Sequence, residues 1–166
     1  MKLLDTITIT MPCIPPKKKL LSYNQKDVWR YKKENAEFIA FKNHLILTHQ
    51  KEISSLREMN ELYKEKLVLK VEIIITKKMS DSFAKKTWVE KEIDKMFCNQ
   101  KPDTDNIRKS LFDAIFSTPK EVIVKGKRKI RWSGFDERIA KDDLVKMWGD
   151  SDSISIQIFC YHYQNL

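Results

Sequence analysis

Asp103 and Asp105 stand one residue apart in "KPDTDNIRKSLFDAIF", Lys101–Phe116, and Lys109 and Asp113 follow Asp105 at four-residue intervals. Carboxylates are hard oxygen ligands suited to Mg2+ or Mn2+, ions that also bridge phosphate oxygens. "KDD", Lys141–Asp143, supplies two more carboxylates if the chain folds them back onto Asp103 and Asp105. Three such groups within about 5 Å would repel one another unless a divalent cation or a proton relieved them. A metal held in this way inside a basic protein points to cleavage of a nucleic-acid backbone. It would orient water, polarise phosphorus–oxygen bonds and stabilise the departing oxyanion.

The same residues have a structural reading. Pro102 disfavours helix at Lys101, and Asp103 and Asp105 fall where N-caps and first-turn acids are favoured. Asp105, Lys109 and Asp113 form an i, i+4, i+8 ladder worth only about 0.2–0.5 kcal/mol per pair. On local grounds alone the structural reading is the stronger. An EF-hand loop is excluded, because Ile107 and Arg108 occupy the places of an oxygen ligand and the glycine. The D-x-D of nucleotide-sugar transferases also matches, but no nucleotide-binding βαβ pattern accompanies it.

What surrounds these residues narrows the setting. The 166-residue chain carries 32 Lys and Arg against 23 Asp and Glu, a net charge of +9 that suits a polyanionic partner, nucleic acid first. A solvated basic surface is the plainer alternative. With 42% hydrophobic and 33% charged residues, three glycines and five prolines, the composition is that of a folded domain. The longest apolar stretch, "LVLKVEIII", falls short of the roughly 20 residues of a membrane span, and "MKLLDTITITMP" lacks a signal-peptide core. Cys13, Cys98 and Cys160 are odd in number and far apart, which suits a reducing cytoplasm and offers no zinc site. His44, His49 and His162 read as structural.

Along the chain, Thr6–Met11 alternates as a strand until Pro12, Pro15 and Pro16 stop it. Lys17–Lys33 then holds seven basic residues against one aspartate, with Tyr23, Trp29 and Tyr31 interleaved. Lys17, Lys18, Lys19 and Arg30 are candidate phosphate contacts in a nucleic-acid arm, or parts of a loop whose aromatics pack inward. Glu34 to about Gln50 has helical periodicity, Ser54–Glu65 suggests a further helix, and Leu67–Thr76 a second strand. "TWVEKEIDKMF" suggests a short helix. Ile107, Leu111, Ala114 and Ile115 mark the buried face of the helix that the aspartates begin. "EVIVKGKRKIRW" predicts a hairpin turning near Gly126, with Lys127, Arg128 and Lys129 at a basic tip that could contact DNA. Ser153–Tyr163 alternates as a last strand. The expectation is a single α+β domain over residues 1–166, with a mixed β-sheet and helices packed on it.

The long block "KPDTDNIRKSLFDA", with "KDDLV" after it, resembles the RusA-type Holliday junction resolvases, whose pattern is roughly K-P-D-x-D-N-x-x-K-x-x-x-D-A and a later D-D pair. "ITITMPCIPPKKK" also looks like the family's start. The resemblance is specific over Lys101–Ala114, weaker at Asp142–Val145 and general elsewhere. It implies a RusA-like fold and a homodimer, common in phages and prophages, that nicks four-way DNA junctions in pairs with Mg2+ or Mn2+, in recombination and repair. It assigns metal binding to Asp103, Asp105 and Asp143 and a catalytic role to Lys109, with Asp113 and Asp142 secondary. The departure lies in the 30 positions between Asp113 and Asp143, longer than in compact members and filled by the basic hairpin, Lys120–Arg131. The rival expectation is a non-catalytic module that binds branched DNA.

Overall fold

The structure, a computed structural model, describes residues 1–16, 35–80, 98, 103–124 and 126–163. The basic arm with Lys17, Lys18, Lys19 and Arg30, the helix expected in "TWVEKEIDKMF", and Lys101 and Pro102 lie outside the described residues.

The core is built on a strand whose sequence leaves little choice. "LVLKVEIIITKK" is β-branched and alternating, and it forms β2, Leu67–Lys78, burying Leu67, Leu69, Val71, Ile73 and Ile75 on one face. Fully burying a side chain of this size contributes about 1.5–3 kcal/mol. Strand β1 (Lys2–Met11) and strand β6 (Ser153–His162) turn Ile7, Ile9, Met11, Ile154, Ile156 and Ile158 to the same side. β1 starts earlier than its sequence alternation, because Lys2 pairs with His162 and β6 extends the ladder.

Strand β5, Ile139–Gly149, completes a four-stranded mixed sheet in the order β1-β6-β2-β5. The β1–β6 and β6–β2 pairs are antiparallel, and β2–β5 is parallel. β5 was not legible as a strand. Lys141, Asp142, Asp143 and Lys146 put charge on both of its faces, which hides the alternation. Ile139–Gly149, for which the sequence pattern predicts no element, is therefore an edge strand of the central sheet.

Helices α1 (Ala36–Thr48), α2 (Gln50–Tyr63) and α3 (Thr104–Ile115) cover the apolar face of the sheet with Phe41, Leu45, Ile53, Leu56, Ile107, Leu111, Ala114 and Ile115. The first two helices meet at His49, whose ring nitrogen donates a hydrogen bond to the Thr10 carbonyl at 2.8 Å. His162 packs against Tyr63 with ring centroids 4.9 Å apart and planes tilted by 44°, so both histidines make contacts within the fold.

Strands β3 (Ser117–Val124) and β4 (Lys127–Gly134) form a separate two-stranded hairpin. Its last pair is Val124–Lys127, and Gly126 in the connection has φ 71°, a conformation that glycine adopts without a Cβ clash. Phe116 and Phe135, edge to face at 5.7 Å between ring centroids, root the hairpin in the main core. The architecture is α+β, as expected. No helix among the described residues is long and apolar enough to cross a membrane.

Candidate active site

The first turn of α3 carries the central carboxylates. Asp103 holds the N-cap position with extended backbone, φ −64° and ψ 144°, yet its side chain makes no capping hydrogen bond. An N-cap aspartate ordinarily accepts a backbone N–H of the first turn, worth about 0.5–2 kcal/mol. Here the carboxylate instead receives a long 3.5 Å hydrogen bond from Asn106 Nδ2. Asp105, one residue into the helix, is 65% exposed. Both carboxylates lie at the positive end of the α3 dipole, where orphan backbone N–H groups also favour an approaching phosphate.

Lys109, one turn on, sets Nζ 3.1 Å from Asp105 Oδ2. Exposed i, i+4 pairs of this kind contribute only about 0.3–0.5 kcal/mol, so the ammonium can exchange Asp105 for another anion at little cost. Arg108 is the residue that motif reading passed over. Its Nη1 is 3.8 Å from Asp105 Oδ1, and its Nε is 2.5 Å from Asp142 Oδ2 on β5. The Nε and Oδ2 atoms are shielded from solvent but not aligned as a hydrogen bond, so the contact is an ion pair. The i+3 spacing from Asp105 was the available signal.

The two acids of β5 part company. Asp142 pairs in register with buried Val71 and so faces α3, whereas Asp143 pairs with Glu72 on the opposite sheet face. There Lys141 Nζ lies 3.1 Å from Asp143 Oδ2. Lys70, 2.6 Å from Glu72, has its pKa raised by the hydrogen bond to Glu72 and, more weakly, by the charges of Glu72 and Asp143. Adjacent residues on a strand face opposite ways, and which of the two meets α3 is set by a register irregularity: Leu69 pairs with Ile139 but Lys70 with Lys141, leaving Ala140 as an extra residue. One extra residue reverses the facing of everything after it. Asp103 and Asp105 share the N-terminus of α3 and Asp142 is tied to that helix through Arg108, while Asp143 lies on the other face of the sheet. Among the described residues no three acidic, histidine or cysteine side chains converge closely enough to hold a metal.

Lys127, Arg128 and Lys129 are exposed along β4, with Arg131 beyond them. Asp113 is exposed two turns along α3, about 12 Å from Asp105 at 1.5 Å per residue, too far to share one ion with it.

A basic α+β chain with carboxylates and a lysine at a helix N-terminus, and a cationic hairpin following the same helix, has the makings of an enzyme that cuts nucleic-acid backbones. Residues 18–158 match the family model described as endodeoxyribonuclease RusA, and the chain belongs to that family. It is accordingly a hydrolytic endodeoxyribonuclease of the Holliday junction resolvase class, with four-way junction DNA as substrate, serving recombination and repair. Nucleases of this family are metal-dependent. The matched span runs from before α1 into β6 and leaves β1 outside it. No curated protein and no solved structure matches the chain.

Proposed function

We propose that the chain resolves four-way junctions as a homodimer by paired, Mg2+-dependent nicks, with Asp103 and Asp105 as the core of the metal site. The observation that carries this reading is the idle N-cap: Asp103 forgoes the capping bond beside a second exposed carboxylate. Two carboxylates with oxygen-only donors fit a hard cation. When bound, such an ion orients the attacking water, polarises the scissile phosphate and stabilises the leaving oxyanion. Lys109 would move from Asp105 to the phosphate and offset charge developing in the transition state. The α3 N-terminus adds a fixed partial positive charge. Lys127, Arg128 and Lys129, with Lys17, Lys18, Lys19 and Arg30 of the arm, are proposed to hold phosphates without reading sequence. Two like sites in a symmetric dimer match the two-fold pairing of strands in a junction. The compartment proposed is the cytoplasm of a bacterial cell, under a phage or prophage gene.

The family pattern assigns the third carboxylate to Asp143. A second reading, favoured by the facing of β5, gives that place to Asp142. The deciding experiment is cleavage of an end-labelled four-way junction and a matched linear duplex, with Mg2+, Mn2+ or EDTA, by the wild type and Asp105→Asn. Paired nicks confined to the junction and dependent on both metal and Asp105 are expected. Tight junction binding without cleavage under either metal would leave only a branched-DNA-binding module.

A further inference from the structure

A cavity of about 390 Å³ opens between α1, the C-terminal half of α3 and the hairpin. Its walls combine Phe112 and Phe116 with two carboxylates, Asp113 and Asp136, and the indole of Trp132 stands at its side. Trp132 is 50% exposed, unusual for the largest apolar side chain on a two-stranded ribbon. Two cations attend it: Lys42 Nζ lies 4.1 Å from the ring centroid and Arg57 Cζ 5.9 Å. Both are anchored to Ser117, Lys42 Nζ donating to its Oγ at 3.3 Å and Arg57 Nε to its carbonyl at 3.0 Å. The cations lie over the ring, so a base would meet the part of the indole that they leave open; that exposed ring, the cations and the carboxylates of the walls together have the chemistry of a base-binding site. The ring stacks on a base face, the cations draw the flanking phosphates, and carboxylates accept from exocyclic amino groups.

We infer that this cavity receives one unstacked nucleobase of the junction strand, held against Trp132 and read at its amino edge by Asp136 or Asp113. The inference rests on the junction-nuclease reading for its ligand, but on a different part of the molecule. Of the exposed basic residues on the strand that carries Trp132, Arg128 shares its face of the hairpin, while Lys127, Lys129 and Arg131 lie on the other face. Asp113 lies about 12 Å along α3 from Asp105. A branch point is where such a base is most readily released, because stacking from one arm to the next is interrupted there and less of it must be given up to extrude the base. An amino edge belongs to adenine, cytosine and guanine, so thymine is the disfavoured occupant.

The test is binding in EDTA, which separates it from cleavage. Fluorescence anisotropy would compare the full-length wild type, Trp132→Ala, Trp132→Phe and Asp136→Asn on three labelled DNAs. These are a four-way junction with one unpaired cytosine at the branch, the same junction with an abasic residue there, and a linear duplex. Stacking on an aromatic ring is worth about 1–3 kcal/mol per base, so Trp132→Ala should bind the cytosine junction about 5- to 150-fold more weakly. Trp132→Phe should retain most of the affinity, and the abasic junction and duplex should bind wild type and Trp132→Ala alike. Asp136→Asn should bind the cytosine junction more weakly than the wild type does and the abasic junction and duplex equally well. Loss of affinity by Trp132→Ala equal on all three DNAs, or no loss on any, would overturn the base pocket while leaving the nuclease reading intact. Failure of the wild type to bind any junction would overturn both.

Discussion

Asp103 and Asp105 share a helix end but stand in different company there. Among the described residues the Asp103 carboxylate has only the long bond from Asn106, whereas Asp105 has two cations, Lys109 and Arg108, within 4 Å. Asp103→Asn and Asp105→Asn are each expected to abolish metal-dependent nicking of a four-way junction while leaving junction binding in EDTA within about threefold, because phosphate contacts dominate affinity. A matching loss of binding would return these residues to a structural role. Lys109→Ala should lower kcat by about 10²–10³-fold if its ammonium stabilises transition-state charge, measured in single-turnover cleavage. The acids of β5 give a paired experiment. If the third carboxylate is the one facing α3, Asp142→Asn suppresses cleavage and Asp143→Asn does not; the reverse result makes Asp143 the ligand, as the family pattern has it.

At the scale of elements, α3 is both the carrier of the site and a wall of the core. Leu111 is fully buried on its inner face, so Leu111→Ala should cost about 2–5 kcal/mol in urea unfolding. The β2–β5 edge is held as closely. Gly149 pairs with Lys78, and a Cβ there would run into Thr76 Cγ2. Gly149→Ala should therefore destabilise the strand that positions Asp142, and adding Thr76→Ser should restore much of the loss. The hairpin is an appendage by comparison, rooted by Phe116 and Phe135 and otherwise largely exposed. Replacing Lys127, Arg128 and Lys129 by alanine should lower the slope of log K against log salt by about 0.9 for each DNA phosphate that the hairpin no longer neutralises. An unchanged slope would take the hairpin off the DNA.

For the molecule as a whole, charge and burial set the conditions under which it works. Cys160 is buried in the core, and its thiol is pushed up to about 12 from 9.0, chiefly by burial and then by Asp5. Between those values the unfolded chain gives up this proton and the folded chain keeps it, so stability falls as pH rises from about 9. Unfolding midpoints measured from pH 8 to 11 should decline, less so in Cys160→Ala.

Much of this was legible in the residues themselves. Strong periodicity announced α1, β2, α3, the hairpin and β6, because each buries one regular face. The spacing of Asp103, Asp105 and Lys109 within the long motif singled out the start of α3 and the chemistry proposed for it, since those residues lie within its first two turns. What tertiary structure decided lay between elements. β5 was hidden because an edge strand with charge on both faces shows no alternation. Only its pairing with β2 reveals the extra residue at Ala140, which turns Asp142 toward Arg108 and Asp143 away. The placing of Trp132 beside Lys42 and Arg57 was equally out of reach, for the cations come from α1 and α2 and the ring from β4. A sequence specifies which groups exist and how they repeat along the chain. Which of two adjacent aspartates meets a helix 34 positions earlier depends on the phase of a strand, and that is settled by the partner it pairs with.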